Sequence, residues 1–377
     1  MDIIPEFQKI YTNRHTIARN KKKEEGKKVA GCLYSLVPEE MVHAAGMVPI
    51  QVTEGEEGSS FISGRSLLPD FYCDFMHSCL GQVQDRSYDY LDALISSDGC
   101  GPMRELAGLW KLSSGVPFFM HLTVPRDNNA ESRIFHKEQL TRLKIMLEDC
   151  SGNGISDESL RSAIEVYNEN RRLLRELYEL RLQDKLPICG SELLDVVKAG
   201  LVMPKDEHNG MVAELLKEVS SNTGKEKGEV RLMVSLLTFE ECTSSSFNIV
   251  KMVEDLGSDV VYDDLCWGGR YSWDPVKQNG DPLEALTGSY IGRAPTAYKY
   301  SQTKRADKLL QEAERYRVDG AIFVIPLYCE AYCFQYAHIS DRFKQQGIPN
   351  LLIESQAFMP VAPLRTRVEA FLEMLGT

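Results

Sequence analysis

Twice along this chain an apolar run of strand length ends in a short loop that carries a cysteine. The first run is YLDALISSDGC, residues 90–100, and the second is GAIFVIPLYC, residues 320–329. A run of this kind followed by a helical pattern is the strand–loop–helix unit of a parallel sheet. The same rhythm surrounds both. Before the first, KKVAGCLYSLVPEEMVHAAGMVPIQV reads as strand, turn, helix and strand; after it, GPMRELAGLWKLSS is a helix and VPFFMHLTVP (116–125) another strand. Pro38 suits a first helical turn, the two glutamates after it suit the positive helix end, and Gly46 ends the helix.

Around the second run the alternation returns. VRLMVSLL (230–237), FNIVKMVEDLG (247–257), DVVYDDL (259–265), ADKLLQEAERYRVDG (306–320), ISDRFKQQGIPNLLIES (339–355) and LRTRVEAFLEML (364–375) alternate strand and helix. The stretch between is different. ESRIFHKEQLTRLKIMLEDCSG has helical spacing, and SDESLRSAIEVYNENRRLLRELYELR is a long amphipathic helix with Ser156 as its N-cap. The expected fold class is α/β, with two Rossmann-like or flavodoxin-like parallel-sheet domains and a helical connecting segment. The expected boundaries are an N-terminal α/β domain over 1–130, a helical segment over 131–225 and a C-terminal α/β domain over 226–377. A length of 377 residues suits two cores. No repeat of 20–50 residues and no low-complexity tract is visible.

A net charge of −12 disfavours a nucleic-acid or anionic-membrane surface. The first 31 residues contain no apolar segment after their basic residues, and no run of 18 apolar residues occurs, so neither a secretory signal nor a membrane span is expected. The cytoplasm is the expected location. There the ten cysteines would stay reduced, serving as small packing hydrophobes or as metal ligands. Phosphate loops, dinucleotide fingerprints, zincin helices and nucleophile elbows are all absent from the sequence.

Cys100 and Cys329 fall at the C-terminal ends of expected strands, where open α/β sheets bind ligands, and Cys73 precedes the strand leading to Cys100. Singly, each can be a packing cysteine. Jointly, three loops could hold an iron–sulfur cluster with one iron left open, although the spacing is neither a ferredoxin run nor a zinc pair. Cys32, Cys150, Cys189 and Cys242 are expected to pack. Cys79 and Cys333 either line the same cavity or pack. Cys266, in YDDLCWGGRYSW, marks either a turn or a substrate-facing loop. His43, His77 and His121 are not expected to be ligands.

VPEEMVHAAGMVPIQV, CDFMHSCLGQV, SSDGCGPMRELAGLW, YDDLCWGGRY, YRVDGAIFVIPLYC and LRTRVEAFLEML, in this order, resemble the 2-hydroxyacyl-CoA dehydratase / benzoyl-CoA reductase family. The YDDLC-GGRY stretch and the LRTRVEAF tail look most like the B-type subunit of benzoyl-CoA reductase. The resemblance implies two α/β domains with a helical part, and a [4Fe–4S] cluster held between them by three cysteines. It also implies a related second subunit, forming a hetero- or homodimer. A separate ATP-dependent iron–sulfur activator would supply a low-potential electron. The substrate would be an acyl-CoA thioester reduced to a ketyl radical, leading to dehydration or to ring reduction. Carried over by position, the ligands would be Cys73, Cys100 and Cys329. The cysteine that often precedes the family's P-E-E helix is replaced here by Tyr34. Cys100 is followed by Gly101 where relatives commonly show aspartate, and Asp98 stands two residues earlier. Ser35 and the acidic stretch Glu54–Glu57 match the region of substrate-side polar groups, with an exposed turn as the other reading of that stretch; Ser35 and Glu54 are the expected catalytic residues. Three rival expectations are a double-cubane reductase of small molecules, a non-catalytic partner subunit and an acyl-CoA binding protein.

Overall fold

The computed structural model describes residues 3–55, 59–220, 224, 228–235, 248–293, 302–356 and 359–376. Its strands are β1 (Val29–Leu33), β2 (Val48–Gln51), β3 (Ala93–Ser97), β4 (Phe118–Leu122), β5 (Arg231–Ser235), β6 (Asp259–Asp263), β7 (Gly320–Pro326) and β8 (Asn350–Ser355). Among the described residues they form two four-stranded sheets, ordered β2-β1-β3-β4 and β6-β5-β7-β8. Every neighbouring pair is parallel. The two sheets therefore share one winding, in which the chain reverses direction after the second strand. In each, the crevice at the strand C-termini opens between the first and third strands.

Burial explains the parallel sheets. In β1, β3, β5 and β7 every residue is buried, as a sheet covered on both faces requires. Alternate residues of β1 enter different cores. Val29 and Leu33 join the larger core, which runs through to the second sheet. Ala30 and Cys32 join a smaller one with Ile95, Leu143 and Leu147.

The helices around the first sheet are α1 (Ile4–Thr12), α2 (Arg14–Glu24), α3 (Glu39–Ala44), α4 (Ser59–Arg65), α5 (Asp74–Gln84) and α6 (Gly101–Ser114). Then come α7 (Ala130–Ser151), α8 (Asp157–Glu179), α9 (Gly190–Gly200) and α10 (Lys205–Ser220). The second sheet carries α11 (Ile249–Asp255), α12 (Pro282–Gly292), α13 (Gln302–Arg315), α14 (Glu330–Gln345) and α15 (Val361–Gly376). Ser156 caps α8 as expected, its Oγ accepting the Ser159 N–H at 3.1 Å. Pro38 sits at the N-cap of α3, one position before the first turn, and Gly46 follows with φ +74°. Helices α4, α5 and α12 are not among the elements expected from the sequence. Helix α4 lies on α5 through two glycines: a Cβ on Gly64 would stand 1.8 Å from His77 O, and one on Gly81 1.5 Å from Ser60 O. Only glycine permits that backbone approach.

Helix α3 is tied to the helical segment by charge. Glu40, fully buried, accepts from Arg171 Nη2 at 2.5 Å and from Tyr290 Oη at 2.6 Å, joining α3 to α8 and α12. No helix among the described residues is long and apolar enough to cross a membrane.

A pH dependence follows from the buried histidines. His208 is fully buried; its Nε2–H donates to Val196 O at 2.9 Å, which leaves Nδ1 to accept from Asn170 Nδ2 at 2.8 Å. Burial pushes its pKa down from 6.5 to about 3, with Lys205 adding to the effect. His15 is likewise pushed down to about 3 by burial and by Arg14 and Arg19. Both are neutral when folded, while the unfolded chain takes up protons below its ordinary value of 6.5. Their contribution is complete above that value and is lost as the pH falls toward 3, by up to about 1.4 kcal/mol per pH unit for each histidine. Urea unfolding free energy is expected to decline steadily between pH 6.5 and pH 4, with a shallower slope in His208→Gln. An undiminished slope in that variant would remove His208 from the account.

Candidate functional site: three helix N-termini around one cleft

Cys73, Cys100 and Cys329 line one cleft, and each is the N-cap of a helix: α5, α6 and α14 respectively. Each sulfur accepts the main-chain N–H three residues on, from Met76, Met103 and Tyr332. This is the hydrogen bond an N-cap oxygen ordinarily makes, with sulfur in its place. The fold explains the convergence. Cys100 follows β3 and Cys329 follows β7, strands in equivalent positions of two sheets whose C-terminal ends meet at this cleft. Cys73 arrives from outside the sheets, on the helix that the α4 glycines hold close.

The cleft is small, about 40 Å³, and mostly apolar, with Met103 and Trp267 among its walls. Among the described residues, the only side-chain oxygens on its wall are the hydroxyls of Tyr34 and Tyr332. Tyr34 has φ +84° and Tyr328, just before Cys329, has φ +68°. The left-handed region is costly for bulky residues, and such strain gathers at functional sites. Gly99 is required beside Tyr34, because a Cβ there would lie 2.8 Å from the ring.

Burial pushes all three thiols up: Cys73 well above its ordinary value, Cys329 to about 12, and Cys100 in the same direction. Each of Cys73 and Cys329 is raised further by a neighbouring thiol of the group. The sulfurs thus carry protons at neutral pH, and a metal binding there would release them. Among the described residues no three His, Cys, Asp or Glu side chains are grouped to hold a metal ion. A mononuclear site would need its ligands within one ion's bonding sphere, whereas a multi-iron cluster is itself several ångströms across and spreads its thiolates.

Asp98, whose charge was expected to bear on Cys100, is committed to its own loop. Its carboxylate accepts from Arg104 at 2.8 Å, His121 at 3.1 Å and the Val124 N–H at 3.0 Å. Burial opposes its charge, but these partners win and bring its pKa down to about 2. Ser35 is half-buried and hydrogen-bonds the Cys266 thiol. Glu54 is 2% exposed, which excludes an exposed turn at that residue, and it stands near Cys79. Neither Ser35 nor Glu54 lines the cleft. Glu56 and Glu57 lie outside the described residues.

Cys32 and Cys150 pack in the smaller core. Cys189 does more than pack: half-buried, it caps α9 in a reciprocal arrangement with Glu192. Cys79 is buried in the larger core and Cys333 is exposed; neither lines the cleft. Cys266 is buried, and its neighbour Trp267 reaches the cleft wall. Cys242 lies outside the described residues. His77 and His121 are buried or half-buried, and His43 packs edge-on against Tyr167. No sequence pattern marks the roles of Tyr34, Trp267 and Tyr332. A signal for the caps does exist. Each cleft cysteine is followed by a residue suited to a first helical turn: Asp74, Pro102 after Gly101, and Glu330.

The family profile described as 2-hydroxyglutaryl-CoA dehydratase, D-component, matches residues 34–375. The chain is 27% identical to one of the subunits of benzoyl-CoA reductase from Thauera aromatica, over 99% of this chain and 98% of that protein. It is 26% identical to the (R)-phenyllactyl-CoA dehydratase beta subunit of Clostridium sporogenes, over 98% of each chain. It is 27% identical to the beta subunit of (R)-2-hydroxyglutaryl-CoA dehydratase from Acidaminococcus fermentans, over 99% of each.

Proposed function

Because the chain belongs to the 2-hydroxyglutaryl-CoA dehydratase D-component family, we propose that it is the iron–sulfur subunit of an acyl-CoA dehydratase or reductase, held to a related second subunit and served by a separate ATP-dependent iron–sulfur activator in the cytoplasm. The observation that carries this reading is the convergence of Cys73, Cys100 and Cys329, all helix N-caps, on one cleft. The donor set fits an iron–sulfur group: three soft thiols, each with an amide N–H on sulfur, in an apolar setting. A [4Fe–4S] cluster bound there would supply single low-potential electrons and one iron without a protein ligand. The cysteines would hold it, giving up their protons on binding. The three helix N-termini would offset the negative charge of the thiolates, and Met103 and Trp267 would keep water away. The proposed division is an N-terminal part over 1–130, a helical part over 131–225 and a C-terminal part over 226–377. The lack of a phosphate loop in the sequence accords with nucleotide hydrolysis on another polypeptide.

Size favours a second reading for the thioester. Pockets for organic ligands run to roughly 300–1,000 Å³, so a cleft of about 40 Å³ does not enclose an acyl-CoA. On this reading the chain handles electrons, and the related subunit holds most of the thioester. Ser35 and Glu54 would then act at a subunit boundary or only in the fold.

The test is iron and acid-labile sulfide content, with EPR, on protein purified without oxygen. About four irons and four sulfides per chain are expected for a single cubane. About eight irons would favour the double-cubane rival. No iron, even after reconstitution, would leave a partner subunit or an acyl-CoA binding protein.

A further inference from the structure

Behind Cys329 lies a buried polar network made largely from the YDDLCWGGRY segment. Asp264 is fully buried between two guanidiniums. Arg270 Nε stands 2.9 Å from its Oδ1, and Arg305 pairs with its Oδ2, which also accepts from Ser235 Oγ at 3.0 Å. Arg305 reaches Gln335 as well. Two cations therefore share one carboxylate, leaving an excess of positive charge in a buried place. Such an excess is costly unless something negative sits nearby.

Both cations touch Tyr332. Arg270 Nη2 donates to its hydroxyl at 3.2 Å, and the Arg305 guanidinium stacks 4.8 Å from its ring centre. A guanidinium has no acceptor, so the phenolic hydrogen of Tyr332 cannot be directed at Arg270. No acceptor for it occurs among the described residues. Tyr332 is 6% exposed and lines the cysteine cleft. Arg270 Nη1 is buried and also lacks a hydrogen-bond partner. Two unsatisfied donors and an unbalanced cation thus stand behind the one wall of the cleft that carries Cys329. With its oxygen occupied by one cation and its ring by another, the phenol is a strengthened donor.

We propose that Tyr332, clamped by Arg270 and Arg305, donates its hydroxyl hydrogen to the sulfur-rich group held by Cys73, Cys100 and Cys329 and raises its reduction potential. This rests on the iron–sulfur reading of the cleft. The reduced state of such a group is the more negative one, so a donor and a cation beside it stabilise that state preferentially. Tyr332 is a positioning and tuning residue. Tyr34, the other phenol of the cleft, has no guanidinium hydrogen bond.

The test is an EPR-monitored redox titration of iron-loaded wild type, Tyr332→Phe and Tyr34→Phe. The expected result is a more negative midpoint in Tyr332→Phe at unchanged iron content, with Tyr34→Phe closer to wild type. An unchanged midpoint in iron-replete Tyr332→Phe overturns the proposal, as does an equal shift in Tyr34→Phe. Should Tyr332→Phe fail to fold or load, pulsed EPR on wild type after brief exchange into D2O decides. A coupled hydroxyl proton that exchanges faster than the buried amides supports the donor, and its absence overturns it. Wild type without iron would sink this inference together with the cluster reading; iron with no shift would sink this inference alone.

Discussion

Cys100→Ala should lose essentially all bound iron while keeping its fold. Cys100 is half-buried at a cleft wall and contributes one cap hydrogen bond, from the Met103 N–H, to the start of α6. Losing such a cap costs about 1 kcal/mol, which in a chain of this size lowers the thermal midpoint by only a few degrees. The iron-binding loss is of another order. With one of three thiols gone, two remain for a group that needs at least three, and the helix N-terminus at Gly101 no longer faces a thiolate. Cys329→Ala should behave the same way. Cys333→Ala, one helical turn along α14 and outside the cleft, should keep its iron. The measurement is iron per chain beside circular dichroism and a melting curve. Full iron content in folded Cys100→Ala would refute the ligand assignment.

Glu40→Ala should be the most damaging single change to stability, at about 3–5 kcal/mol. Its carboxylate is fully buried, and burial alone would raise its pKa, yet Arg171 and Arg293 bring it below the ordinary glutamate value. Removing it strands the Arg171 guanidinium, 1% exposed, inside the junction of α3, α8 and α12. Tyr290 loses its acceptor in the same step. The discriminating experiment is a cycle with Glu40→Leu, Arg171→Met and the double variant. The double should recover much of the loss, because no unpaired charge is left. A double variant as unstable as the sum of the singles would mean that the ion pair itself stabilises the junction. Helix α3 follows Tyr34 and Ser35, so Glu40 variants should also weaken the order of the cleft wall.

Much of the fold was legible because the signals are local. Apolar runs of strand length, the cap at Ser156 and the turn at Gly46 act within a few residues of themselves. Helices α4 and α5 were hidden because their close contact is made by glycines and backbone, which leave little apolar periodicity. Helix α12 carries little contrast between its faces, so its pattern was also weak. Cys189 read as a packing residue because a thiol capping a helix has no compositional mark. Cys73 read as a loop residue, although Asp74 after it was a helix-start signal.

The sequence by itself determined that the chain alternates strand and helix on either side of a helical segment, and that cysteines end two of the strands, because strand and helix periodicities are written in neighbouring residues. Only the tertiary structure decided that both sheets have the same strand order, that Cys73, Cys100 and Cys329 meet in one cleft, and that Arg270 and Arg305 clamp Tyr332 behind it. Those facts depend on contacts between residues far apart in the chain. Burial, charge pairing and backbone approach select such contacts only once the whole fold is assembled.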